Sequence, residues 1–146
     1  CPIGAHTRRS NPRDTPIVQK GFGHTRRIIR RGMPYGPIYD HSDPNADRKV
    51  RRGLLGSFLC ASLTAQFENI MYDWVNLGLH HPSITGTNDP ILGDNDPETS
   101  EFLIPMPDGD DIVLRGFGRF VDTRGSAYLF MPSLTALRWL GEGADQ

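Results

Sequence analysis

The chain has 146 residues, the size of one domain. Its net charge of −1 gives no global field toward nucleic acid, and 37% hydrophobic and 23% charged residues are ordinary for a globular protein rather than a disordered one. No apolar run approaches the roughly 20 residues of a membrane helix, and two cysteines, Cys1 and Cys60, make neither a disulfide framework nor a CxxC metal pair; they read as free thiols, one of them buried.

Taken in chain order, residues 1–26 are polar and broken by Pro2, Pro12, Pro16, Gly21 and Gly23, so they read as loop. The loop is basic. Residues 1–52 hold 12 of the 16 Lys and Arg against four Asp, which suits an anionic ligand, an acidic partner or a solvated arm. A chain that opens on Cys rather than Met reads as processed, cleaved or truncated. "RRIIRRGMPYG" predicts a short strand near residues 26–33. Residues 39–49 form a turn-rich loop. "RGLLGSFLCAS", residues 52–62, predicts a buried strand, with Leu55, Ser57 and Leu59 on one face and Leu54, Gly56 and Phe58 on the other. Ser62 is then a good N-cap for a helix carrying Leu63, Phe67, Ile70, Met71 and Trp74 on one stripe, ended by Gly78. Phe67, Met71 and Trp74 read as core.

Residues 79–111 are Pro-, Gly- and Asp-rich and too long for a plain connection. Alternation after Ile112 and around Tyr128 and Phe130 predicts two strands joined by a turn at residues 122–125. A closing helix follows, with Ser133 as N-cap and Gly141 at its end. The order β, β, α, long loop, β, β, α predicts an α+β fold with an antiparallel sheet.

The five histidines are His6, His24, His41, His80 and His81. None makes an HExxH pair or a zinc-spaced group, and no GxSxG, P-loop or dinucleotide fingerprint is present. A lone histidine among arginines is more often structural than ligating. The same set nevertheless suits haem, which needs an axial nitrogen, cations for its propionates and a distal cation to polarise peroxide. His24 lies six residues before Arg30, about 20 Å of extended chain. That places it poorly for the opposite face of a ring from Arg30, whereas the 24-residue gap from His6 leaves ample chain. His80 and His81 read as surface or loop histidines.

In order along the chain, "CPIGAHTRRSNPR", "IIRRGMPYGP", "RGLLGSFLCASLTAQFENIMYDWVN", "DPILG" and "YLFMPSLTALRWL" resemble the dye-decolourising peroxidases, from residue 1 to about residue 140. The resemblance implies a ferredoxin-like antiparallel sheet with helices on one face, one half of a two-module, dimeric α+β barrel-type peroxidase. Residues 1–25 would be the proximal haem loop and residues 26–146 the C-terminal ferredoxin-like module, the N-terminal module being absent from this chain. It implies haem b with His6 on iron, Arg13 on a propionate, and Arg30 as the distal catalytic arginine, also near a propionate, with Arg31 the alternative. Asp89 would hold the His6 N–H, and Leu55 and Ser57 would lie at the distal wall. Gly56 and Ser57 are smaller than the pattern expects there, implying a more open pocket. The expected chemistry is reduction of hydrogen peroxide and oxidation of dyes or phenols, with Tyr72, Trp74, Tyr128 and Trp139 as relay candidates that read more readily as core. The family's Gly-x-x-Asp-Gly motif does not occur in these 146 residues. The catalytic aspartate would then come from a second chain carrying the N-terminal module, or from a part since removed. No nucleic-acid partner and no membrane span are expected, and the localisation stays open. A non-catalytic haem-binding protein and a docking subunit are the other readings.

Overall fold

The computed structural model describes residues 1–20, 22–43, 45 and 50–143. Most of the second half of the 39–49 loop, and residues 144–146, lie outside them. The first third is not plain loop. It winds into three short helices, α1 (His6–Ser10), α2 (Pro16–Gln19) and α3 (Phe22–Thr25). Pro16 supplies a ready-made first helical residue for α2, since its missing N–H would have had no partner there. Helices of four or five residues carry little sequence signal, because they lie below the length at which periodicity or propensity can act.

Strands β1 (Ile29–Tyr35) and β2 (Gly53–Leu59) pair antiparallel, from Ile29 opposite Leu59 to Tyr35 opposite Gly53. Pro34 fits inside β1 because a two-stranded sheet leaves one edge of each strand unpaired. β2 forms where expected but is not buried: Leu54 and Leu55 stay about 60% exposed.

Helix α4 follows as two consecutive wide-wound segments, Leu63–Glu68 and Ile70–Asn76. The Ser62 side chain accepts from the Ala65 N–H, the cap expected from sequence. Gly78, just beyond the helix, takes the left-handed φ of +63° that favours glycine. The winding is of π type, with more residues per turn than an α-helix. The buried face therefore drifts. Ile70, Trp74 and Val75 are buried, while Leu63 is exposed and Phe67 and Met71 are half-buried. Ile17, Ile28 and Leu92 pack around those three to form the main core.

The long 79–111 region contains a single-turn helix at Pro82–Ile84 and strand β3 (Glu101–Ile104), which pairs antiparallel with β4 (Ile112–Arg115). β4 therefore does not pair across the 122–125 turn as the alternation suggested. Residues 116–133 form no strand, because Tyr128 and Phe130 have no partner strand among the described residues. Helix α5 (Leu134–Glu142) is capped by Ser133, which accepts from the Ala136 N–H, and it ends at Gly143 rather than Gly141. The class is α+β, with two separate two-stranded antiparallel sheets. No described helix is long and apolar enough to cross a membrane. Cys1 is exposed and Cys60 half-buried, so neither is the buried thiol expected. Tyr72, Tyr128 and Trp139 are 66%, 57% and 71% exposed, and only Trp74 of the four aromatics is core.

A candidate haem-ligating site at His6 and Asp89

His6 begins α1, which packs on the second half of α4. Its Nδ1 lies 2.9 Å from Asp89 Oδ2. An ionised carboxylate can only accept, so Nδ1 carries a proton, and in the neutral imidazole Nε2 keeps its lone pair. Nε2 makes no hydrogen bond among the described residues, and the His6 side chain is 32% exposed. One ring nitrogen is thus anchored and the other is open to a ligand.

The anchor is itself fixed. Asp89 is fully buried. Its Oδ1 accepts the backbone N–H groups of Ile91 at 2.8 Å and Leu92 at 2.9 Å, so the carboxylate caps the turn that follows it. Its own N–H donates to the Val75 carbonyl at 2.6 Å, tying the turn to the end of α4. Its carbonyl accepts from Asn95 Nδ2 and the Gly93 N–H. A Cβ on Gly93 would meet that carbonyl oxygen at 2.6 Å, so only glycine fits there. Burial pushes the Asp89 carboxyl up, but the bonds from His6, Leu92 and Ile91 outweigh it and hold it below its ordinary value. The hydrogen bond to Asp89 pushes His6 up, against its own burial and the opposing charge of Arg30.

Arg8 is held by Asp14, with Nη2 at 2.7 Å and 2.9 Å from the two carboxylate oxygens. Arg13, exposed after the buried Pro12, forms no ion pair among the described residues. Arg30 is exposed on β1, and its charge acts on His6.

The structure does not bring Leu55 and Ser57 to Arg30. Arg31 stands opposite Ser57 and Met33 opposite Leu55, whereas Arg30 stands opposite Phe58. Cross-strand partners share a face and neighbours alternate, so Leu55 and Ser57 lie on the Arg31 face. His24 is exposed at the end of α3. Two clefts, of about 280 Å³ beside Thr87, Asp94 and Ser100 and about 680 Å³ beside Arg26, Asn69 and Tyr72, touch neither His6 nor Arg30.

Two buried residues escaped the sequence reading. Arg9 is fully buried, although Arg8-Arg9 looks like a solvated basic pair. Burial pulls its guanidinium down to about 10, opposed by the Asp89 charge, so it stays a cation at neutral pH. His80 is not a surface histidine: it is 1% exposed, its ring centroid 6.4 Å from that of Trp74. Trp74 of α4 covers it from one side, and no local pattern around His80 announces that burial.

Neither His80 ring nitrogen has a partner in full hydrogen-bonding geometry. Burial lowers its pKa from 6.5 to about 4; the Ile3 main chain partly offsets this, and the charges of Arg9, His81 and Arg8 add to it. A depressed folded-state pKa contributes stability that is complete above pH 6.5, where both states are neutral. It is lost as pH falls toward 4, because the unfolded chain takes up the proton first. The loss should reach about 3 kcal/mol. His6, with its raised pKa, works in the opposite sense, so the His80 contribution is read as a difference. Urea unfolding of the wild type and His80→Gln at pH 7 and pH 4.5 should show the wild type losing the more stability; equal slopes would remove His80 as the cause.

No family model matches the chain. Dye-decolorizing peroxidase msp1 of Mycetinis scorodonius is 30% identical over 151 residues, covering 94% of this chain and 29% of that protein. Multifunctional dye peroxidase DyP2 of Amycolatopsis sp. is 30% identical over 96% of this chain and 32% of its own length. The solved structure of an ancestral D-type dye-decolorizing peroxidase matches with a TM-score of 0.59 and 28% identity, over 82% of this chain and 28% of that one. The chain therefore spans less than a third of the length of these relatives.

Proposed function

The chain is a relative of the dye-decolorizing peroxidases, and on that premise we propose that it carries the haem-ligating part of an enzyme that reduces hydrogen peroxide and oxidises dyes or phenols. The observation that carries this reading is the His6–Asp89 pair, with Nδ1–H donated to a buried carboxylate and Nε2 left free. That arrangement orients an imidazole ligand and raises its basicity. The residues fit haem b: one anchored nitrogen donor, and two exposed cations, Arg13 and Arg30, without a carboxylate partner among the described residues.

Haem would supply the electron transfer from reductant to peroxide. His6 Nε2 would hold the iron, and Asp89 would keep the proton on Nδ1 and fix the ring plane. Arg13 would hold a propionate. Arg30 would present N–H donors to the peroxide oxygens, favouring the charge that develops as the O–O bond breaks. Moving the peroxide proton needs a base, and we assign it to an aspartate in the part of the relatives this chain does not span, on a second polypeptide or on the same one. Residues 1–25 would form the proximal loop and residues 26–146 the C-terminal module of the two.

Titrating the purified chain with hemin tests the reading. One Soret band saturating at equal molarity is expected, and its absence overturns the proposal. In the haem-loaded assembly, Arg30→Leu should slow the reaction with peroxide about 100- to 1,000-fold, while Arg31→Leu leaves it near wild type in stopped-flow traces. The reverse result would move the distal role to Arg31.

A further inference from the structure

Arg9 is the fully buried cation among the described residues, and its guanidinium is spent on the frame of the site. Nε donates to the Gly4 carbonyl at 2.7 Å. Nη1 donates to the Thr87 carbonyl at 2.7 Å and the Trp74 carbonyl at 3.3 Å. Nη2 donates to Thr87 Oγ1 at 2.6 Å, and that hydroxyl in turn donates to the Ile84 carbonyl at 2.6 Å.

These acceptors lie on three segments. Gly4 leads into His6, and Thr87 leads into Asp89. Trp74 precedes Val75, whose carbonyl receives the Asp89 N–H. One planar fork therefore joins the backbone entering the imidazole, the backbone entering the carboxylate and the helix on which the carboxylate turn rests. Only arginine offers several donors in one rigid plane; lysine would supply a single pivoting ammonium. The buried charge is also favoured by the negative charge of Asp89, the acceptor of the pair.

We propose that Arg9 is a positioning residue that sets the separation and ring plane of the His6–Asp89 pair, with Thr87 as its receiving half. Its bearing on haem rests on the function proposed above; its bearing on the pair does not.

The test reads the His6 ring by ¹⁵N-edited NMR in the haem-free, 146-residue chain. In the wild type, a slowly exchanging Nδ1–H signal from His6 is expected. Arg9→Lys should lose that signal and move the ring ¹⁵N shifts toward those of a free histidine. Thr87→Val should weaken it, and Thr87→Ser, which keeps the hydroxyl, should restore it. If Arg9→Lys does not fold, the Thr87 pair of variants decides alone. Unchanged His6 signals in Thr87→Val, with only a lowered melting temperature, would overturn the inference and leave Arg9 as packing. A wild type that shows the Nδ1–H signal but binds no hemin would overturn the proposed function and leave Arg9 in its role. Hemin binding with no effect of these variants on the His6 ring would do the opposite.

Discussion

Asp89→Ala should destabilise the chain by about 3–5 kcal/mol, the cost of removing one partner from a buried charged cluster. Three consequences act together. The Ile91 and Leu92 N–H groups lose the oxygen that caps their turn. The His6 Nδ1–H loses its acceptor. Arg9, fully buried, loses its counter-charge. Asp94→Ala is the control, because the Arg119–Asp94 pair is more than half exposed on both sides, and such pairs are worth about 0–1 kcal/mol. Urea midpoints read both. Asp89→Asn separates fold from site. Its amide oxygen can still cap Ile91 and Leu92, but its NH₂ would face His6 and drive the ring proton to Nε2, the nitrogen a metal needs. Hemin affinity should therefore fall about 10- to 100-fold, with a smaller stability loss than in Asp89→Ala. An Asn variant that binds hemin like the wild type would separate Asp89 from ligation.

His6→Ala should abolish axial ligation while the chain stays folded. The side chain is partly exposed and makes one hydrogen bond, with Asp89. Its removal therefore costs about 1.5–3 kcal/mol, the range for a bond to a charged group. The other described histidines are placed differently: His24 and His41 are exposed without the buried carboxylate that orients His6, His80 is enclosed beside Trp74, and His81 Nδ1 accepts the Ser83 N–H, which puts its proton on Nε2. The Soret band of the hemin-titrated chain should be lost or moved to that of unligated hemin, and free imidazole should restore it, since the space left is lined by the Asp89 acceptor. A Soret band unchanged in His6→Ala would transfer ligation to another residue.

What could be read from sequence follows the range of each interaction. Ser62 and Ser133 were legible as caps because their acceptors serve N–H groups three residues away. Gly78 was legible because a helix end needs its φ. The His6–Asp89 contact joins residues 83 apart; composition left His6 a lone histidine, and only the likeness of "DPILG" to a family pattern pointed to the carboxylate. β3 was hidden because Glu101–Ile104 is four residues long within a Pro- and Gly-rich stretch, and its partner lies beyond the turn. The β1–β2 register was not legible either: it sets Arg30 opposite Phe58, so Leu55 and Ser57 fall on the other face of the hairpin. Arg9 was not legible because most of its acceptors lie far along the chain, Trp74 being 65 residues away and Thr87 78; His80 was not legible because a histidine just past a helix end carries no local sign of burial.

The β1–β2 hairpin has a physical consequence for the chain in solution. Ile29, Met33, Tyr35, Leu54 and Leu55 are all more than half exposed on a sheet whose two edges pair with no other strand among the described residues. Such an edge is a template for recruiting further strands. Arg30, Arg31 and Pro34 interrupt β1 as gatekeepers, two by like-charge repulsion between copies and one by withholding an N–H donor. The repulsion between exposed charges is screened within about 8–10 Å at physiological salt. Added salt should therefore promote self-association of the chain, because the Arg30 charge, which also acts on His6, opposes stacking of the hairpin on its copies.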